Sequence, residues 1–169
     1  ILNLVDRNDP ILRKVAEPFD FSNPPTDPAQ LYNDMGETMI AKKGLGLAAN
    51  QVGLPYRFFV LTGEKVLGVF NPKVVDFSPE MVIMNEGCLS YPGLVLKVKR
   101  PAHIRARFTM PDGQTTTMKF EGLSARCFLH ELDHLDGIVH ISRANAYHRE
   151  QAYKMMKNYD RVIKRTARR

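Results

Sequence analysis

The chain has only two cysteines, Cys88 and Cys127, and no Cys-x-x-Cys pair. That excludes the disulfide framework of a small secreted domain and favours a reducing cytoplasm, or an organelle matrix or stroma, as its setting. No apolar run approaches the ~20 residues of a membrane span. Ile1 to Val5 is too short for a signal-peptide core, because Asp6 and Arg7 follow at once. The lack of an initiator methionine points to a processed or trimmed N-terminus. Internal repeats and low-complexity stretches are also missing. What remains is 169 residues, 44% of them apolar, enough for one compact domain spanning 1–169.

The charge is unevenly placed. Residues 143–169 hold nine Lys/Arg and two Asp/Glu, so this tail carries +7 and the remaining body −1. A basic tail points to an anionic partner or to a solvated face that keeps the protein soluble.

Asp27 and Pro28 fit an N-cap and a first helical position. With Leu31, Met35, Thr38 and Met39 at helical spacing, they predict a helix over 28–43 closed by Gly44. From 56 to 120 the texture changes to short β-branched and aromatic runs: 58–61, 66–75, 81–84, 94–98, 103–108 and 115–120. Met110-Pro111-Asp112-Gly113 marks a hairpin turn between the last two. Ser124 can cap a second helix that stops before Gly137. Leu123, Cys127, Glu131 and His134, with His130 beside them, share one face of it, while Phe128, Leu132 and Leu135 point elsewhere. A helix apolar nearly all round is a buried one. A third helix is expected from Arg143 to about Arg165, capped by Ser142. Ala144, Tyr147, Gln151, Met155, Tyr159 and Val162 would form its docking stripe. The expected fold is α+β: mostly antiparallel sheets packed around a central buried helix, with an N-terminal helix and a basic C-terminal one.

The buried helix carries His130-Glu131-Leu132-Asp133-His134, an H-E-x-x-H pattern. Residues i and i+4 lie one above the other on a helix, so both imidazoles can reach one metal ion. Glu131 then stands where it can take a proton from water. Two ordinary histidines on a surface helix would be the plain alternative, but unpaired polar groups are costly inside and the surroundings are apolar. A catalytic site needs a third protein ligand. Downstream, His140 and Glu150 are available, and Gly137 with His140 completes the metzincin pattern H-E-x-x-H-x-x-G-x-x-H. On spacing alone a zinc endopeptidase is a strong rival.

Two further stretches bear on the choice. Gly44-Leu45-Gly46-Leu47-Ala48-Ala49-Asn50-Gln51 follows the first helix, and Glu86-Gly87-Cys88-Leu89-Ser90 lies between two strands. With 130–137 they resemble, in order, the three motifs of the peptide deformylase family: G-x-G-x-A-A-x-Q, E-G-C-L-S and H-E-x-D-H. Asp9-Pro10-Ile11-Leu12-Arg13, with Ala16 and Pro18, also looks like that family, so the resemblance covers the chain up to about 142.

The resemblance implies a metal-dependent hydrolase that removes the formyl group from the formyl-methionine of new polypeptides. It implies Cys88 as third ligand beside His130 and His134, where a small buried hydrophobe or a nucleophilic cysteine would be the other readings. Fe2+ is the expected native ion, with Zn2+, Ni2+ or Co2+ as substitutes. Glu131 is the expected proton carrier, and Gln51 and the backbone N–H of Leu89 the oxyanion donors. Gly44, Gly46 and Gly87 would let an extended substrate approach closely. Leu45, Leu47, Tyr91, Leu123 and Cys127 are candidates for the methionine pocket. Glu86 is expected to orient a ligand; Asp133 could do so too, or face solvent. A monomer is expected, with ribosome contact through the basic helix. The chain departs from the family pattern at Leu129, where a glutamine is usual, and at Val95, where an arginine is usual. Lys97, Lys99 and Arg100 are candidates to replace that arginine. A noncatalytic protein on a retired scaffold is a further alternative, against which the intact Cys88, His130, Glu131 and His134 count.

Overall fold

A computed structural model describes residues 1–168. Helix α1 (Pro28–Ala41) starts as its sequence predicts, with the Asp27 carboxylate accepting the Ala29 N–H at 2.9 Å. It stops two residues before the expected end. Lys43, not Gly44, takes the left-handed conformation (φ 57°), and the Gly44 N–H turns back to the Met39 carbonyl at 2.9 Å.

Five antiparallel strands form one sheet in the order β1-β2-β3-β6-β7: β1 (Gly46–Ala48), β2 (Phe58–Leu61), β3 (Leu67–Phe77), β6 (His103–Thr109) and β7 (Thr115–Glu121). The expected turn joins β6 and β7, with Gly113 at φ 85°. β1 was not anticipated, since three residues without a β-branched member carry little strand signal. The pair β4 (Met81–Cys88) and β5 (Tyr91–Pro101) forms a separate two-stranded antiparallel sheet. The E-G-C-L-S stretch is therefore the last turn of pleat of β4 plus a tight turn.

Helix α2 (Gly122–Leu135) runs straight on from β7. Ser124 is not its cap; it lies in the first turn, because Gly122 at φ 55° makes the corner two residues earlier. Gly137, at φ 70°, follows its C-terminal end as expected. Phe128 of α2 packs between Phe59 (ring centroids 5.0 Å apart) and Phe120 (4.7 Å) on one face of the large sheet. On the other face α1 contributes Leu31, Met35 and Met39 to a cluster with Phe58 and Phe70.

Helix α3 (Ala146–Thr166) begins later than expected. Residues His140–Arg143 form a 3-10 turn, and Asn145 rather than Ser142 caps the helix, accepting the His148 N–H at 2.9 Å. Its docking face is also rotated from the expected stripe. Ala144 is buried and Tyr159 half-buried as expected, but Tyr147, Met155 and Val162 are exposed, and the buried residue within the helix is Ala152. The small side chain of Ala152 lets the helix approach β5 closely, and Met156 and Tyr159, four and seven positions on, share that face. Among the described residues no helix is long and apolar enough to cross a membrane.

Candidate metal centre

α2 presents His130 and His134 on one face, and the end of β4 brings Cys88 to them. One ligand atom from each of the three lies within 4.8 Å of the others. Cys88 Sγ is 3.3 Å from His134 Nε2. Both histidines are buried and Cys88 is half-buried. Glu86, two residues before Cys88, lies 3.0 Å from His130 Nδ1, which leaves Nε2 of that ring for a metal.

Glu86 is itself held by two guanidinium groups. Arg126 Nη1 donates to its Oε1 at 2.9 Å, and Arg100 grips both of its oxygens. Burial opposes the Glu86 charge, but hydrogen bonds from His130 and Arg100 outweigh it and hold the pKa well below the usual carboxylate range. Arg100 reaches on to Asp133 at 2.8 Å, and Arg143 binds both oxygens of Asp133 at 2.7 and 3.0 Å. Asp133 is therefore a buried partner of two arginines and does not face solvent. Arg100, with all three guanidinium nitrogens engaged, is buried away from the cavity described below. Lys97 and Lys99 remain exposed, on the same side of β5 as Val95.

A thiolate and two imidazoles fit a borderline divalent cation, and the anchored second nitrogen of His130 is the usual support for such a ligand. Burial, then the neighbouring positive charge of His130, keep His134 neutral, well below the ordinary imidazole pKa. For His130 burial acts the same way, yet the Cys88 sulfur and Glu86 raise its pKa well above the ordinary value.

Glu131 stands beside the cluster, 4% exposed, with Oε2 free of any protein partner. Burial, opposed by His130, raises its pKa to about 7. Its side chain lies against Gly46: a Cβ added there would fall 2.8 Å from Glu131 Cδ. Gln51 is buried. Its Oε1 accepts the Ala48 N–H at 2.9 Å, and its Nε2 points at Ser90 Oγ (3.0 Å) and Cys88 Sγ (3.6 Å).

A cavity of about 370 Å³ opens beside these groups. Gly44, Leu45, Gly46, Gly87, Leu89, Tyr91, Leu123 and Cys127 all line it. Leu47 does not; it is fully buried under α1. Val95 and Arg126 line the cavity as well. Burial, with Glu131 second, raises the Cys127 thiol to about 11, so it remains an uncharged wall residue. The downstream candidates of the endopeptidase alternative lie apart. His140 is buried beside His130 (ring centroids 5.3 Å) but outside the converging donors, and Glu150 is on the surface, paired with Lys154.

Sequence reading passed over three residues of this site. Ser90 and Asn50 stand inside the quoted motifs, and Asn50 donates to the His134 carbonyl at 2.6 Å. The signal for Arg126 was an arginine embedded in an otherwise apolar helix.

Comparison with known proteins agrees with this geometry. The profile of the family described as Polypeptide deformylase matches residues 1–150. A peptide deformylase of Thermotoga petrophila is 37% identical over 161 residues, 93% of this chain and 95% of that one. The crystal structure of a peptide deformylase from Legionella pneumophila superposes with a TM-score of 0.88 over 98% of both chains, at 29% identity. That of a peptide deformylase from Synechococcus elongatus, in complex with actinonin, gives 0.87 over 94% of this chain and 88% of that one, at 30% identity. With a thiolate and two imidazoles converging beside a buried glutamate, this chain belongs to the polypeptide deformylase family, metal-dependent hydrolases that remove the N-formyl group from new polypeptides.

Proposed function

We propose that Cys88, His130 and His134 hold one divalent cation, and that Glu131, Gln51 and the Leu89 backbone N–H carry out deformylation within a single catalytic domain, residues 1–169. The convergence of those three ligands beside an unpartnered Glu131 oxygen carries the reading. The reaction hydrolyses the formamide of an N-terminal formyl-methionine and releases formate. When bound, the cation supplies Lewis acidity, which lowers the pKa of water and polarises the formyl carbonyl. Glu131 takes the proton of the attacking water and passes it to the leaving amine. A buried carboxylate with one oxygen free of any protein partner is placed for both halves of that transfer. Gln51, held in place through Ala48 and Ser90, and the Leu89 N–H steady the negative charge on the formyl oxygen. Glu86, fixed by Arg100 and Arg126, keeps the His130 ring in one orientation.

The 370 Å³ cavity takes the methionine side chain; pockets for small ligands begin at about 300 Å³. β1 has a free edge in the five-stranded sheet, and β4 has one in the two-stranded sheet. Backbone groups of Gly46 and Gly87 can pair there with an extended peptide. Iron(II) is the proposed native ion on the family resemblance, with zinc, nickel or cobalt accepted by the same donors. Anaerobic purification with elemental analysis identifies it.

Metal-loaded protein should release formate from formyl-Met-Ala peptides and leave unformylated peptides uncut. Cleavage of the latter would favour the endopeptidase, and loss of neither would favour a retired scaffold. We place the enzyme, as a monomer, where translation starts with formyl-methionine: the cytoplasm, or an organelle matrix or stroma. The exposed lysines and arginines of α3 are the proposed contact to ribosomal RNA. Converting Lys157, Arg161, Lys164 and Arg165 to glutamate should abolish co-sedimentation with ribosomes at low salt. Retained co-sedimentation would contradict that contact.

A further inference from the structure

The pocket wall formed by Tyr91 to Leu94 belongs to the two-stranded sheet, which is not hydrogen-bonded to the larger one. What backs that wall is α3. Gly93 lines the cavity at φ 78°, and the Tyr159 ring occupies the place its side chain would take. A Cβ on Gly93 would meet Tyr159 Cδ2 at 2.6 Å. The next residue, Asp160, forms an ion pair with Arg7 of the N-terminal segment. The Arg7 carbonyl in turn accepts the Tyr91 hydroxyl at 3.3 Å. Three distant segments thus close a loop of contacts around one short stretch: Arg7 to Asp160, Tyr159 to Gly93, and Tyr91 back to Arg7. Behind it, Ala152 and Met156 pack with Tyr91 and Leu94 in one cluster that also touches Cys88.

We propose that Tyr159 is a positioning residue for substrate: it presses the Tyr91–Leu94 wall into place, with the Arg7–Asp160 pair fixing α3 at that spot, and so sets the fit of the apolar side chain of the formylated residue. Tyr159 acts through Gly93 and does not itself line the cavity. His130, His134 and Glu131 stand on α2, with His130 held through Glu86, while Cys88 keeps its place at the end of β4 through the β4–β5 ladder. The device therefore tunes binding and leaves the chemical step alone. This rests on the deformylase reading above.

The test compares the full-length wild type with Tyr159→Ala, Tyr159→Phe and Asp160→Asn, all metal-loaded. Readouts are kcat and KM for a formyl-Met peptide, the Kd for actinonin by calorimetry, metal content, and hydrogen exchange of the Tyr91, Gly93 and Leu94 amides. Tyr159→Ala should raise KM and the actinonin Kd about tenfold, the size of a lost close apolar contact in a pocket, with kcat and metal content unchanged. Exchange at 91–94 should quicken while α2 stays protected. Tyr159→Phe should behave as wild type, because the ring and not the hydroxyl does the pressing. Asp160→Asn should show the same pattern at about two- to threefold, as a part-exposed ion pair implies. Unchanged KM and Kd in folded Tyr159→Ala, or a fall in kcat alone, would overturn the proposal. Should that variant not fold, unchanged KM, Kd and exchange in Asp160→Asn would overturn it. A wild type that does not deformylate would instead defeat the functional reading, and the exchange data would still decide whether Tyr159 orders the wall.

Discussion

Replacing His140 with phenylalanine tests how a buried imidazole without partners affects stability. His140 is 1% exposed, and neither ring nitrogen has a hydrogen-bond partner. It lies between the rings of His130 (5.3 Å) and Tyr91 (5.7 Å), where a flat apolar ring would fit. An unsatisfied buried polar group costs about 1–3 kcal/mol. The larger phenyl ring returns part of that gain through crowding, on the order of 1 kcal/mol. The net expectation is a variant more stable by about 1 kcal/mol near pH 7.5. Acid widens the gap. Burial, with His130 second, pushes the His140 pKa down to about 3. Below the unfolded value of about 6.5, only the unfolded wild type binds this proton, so wild-type stability falls with pH by about 1.4 kcal/mol per unit. At pH 5 the loss reaches about 2 kcal/mol, and the phenylalanine variant escapes it. Its total advantage there is about 3 kcal/mol. Urea titrations at the two pH values, with the metal state held fixed, measure both numbers. A destabilised variant would show that His140 has a partner. A pH-independent difference would show that His140 does not stay neutral in the folded chain.

Glu131→Gln should keep its metal and lose turnover by at least about a hundredfold, the usual contribution of a positioned acid–base group; near-normal formate release would remove Glu131 from its role. Cys88→Ala should lose most of its metal after dialysis, and unchanged stoichiometry by elemental analysis would point to a different third ligand, such as His140. Gly46→Ala should fold but lower kcat, because the new methyl group displaces the Glu131 carboxylate. Since the proposed mechanism uses that carboxylate in every turnover, kcat should drop by about 10² or more. A crystal structure of the variant with Glu131 unmoved and activity intact would refute the steric argument.

The chemistry was more legible in the sequence than the scaffold that holds it. His130 and His134 are four positions apart on one helix, and few other arrangements of those residue types make sense among apolar neighbours. Cys88 needed the family resemblance, because spacing alone left His140 and Glu150 open. The ion network behind the site was not legible at all. Arg126 meets Glu86 across 40 positions and Arg100 meets Asp133 across 33, and no local periodicity encodes such pairs. The phase of α3 failed for another reason. Its apolar residues lie on two adjacent lines, and only the approach to β5 selects Ala152 over the larger Met155 and Val162. Helix α1 ends short of Gly44 because a lysine takes the conformation usually left to glycine, while Gly44 serves close contact with Leu89.

The sulfur and the two imidazoles come from different structural units, a hairpin and a helix, with His130 42 positions beyond Cys88 in the chain. An unfolded chain would therefore not bring the three proposed ligands together, and capture of an ion by them would be coupled to folding. Free metal in the surroundings would then select for finished molecules, and chelation should loosen the hairpin first, well before the aromatic centre gives way.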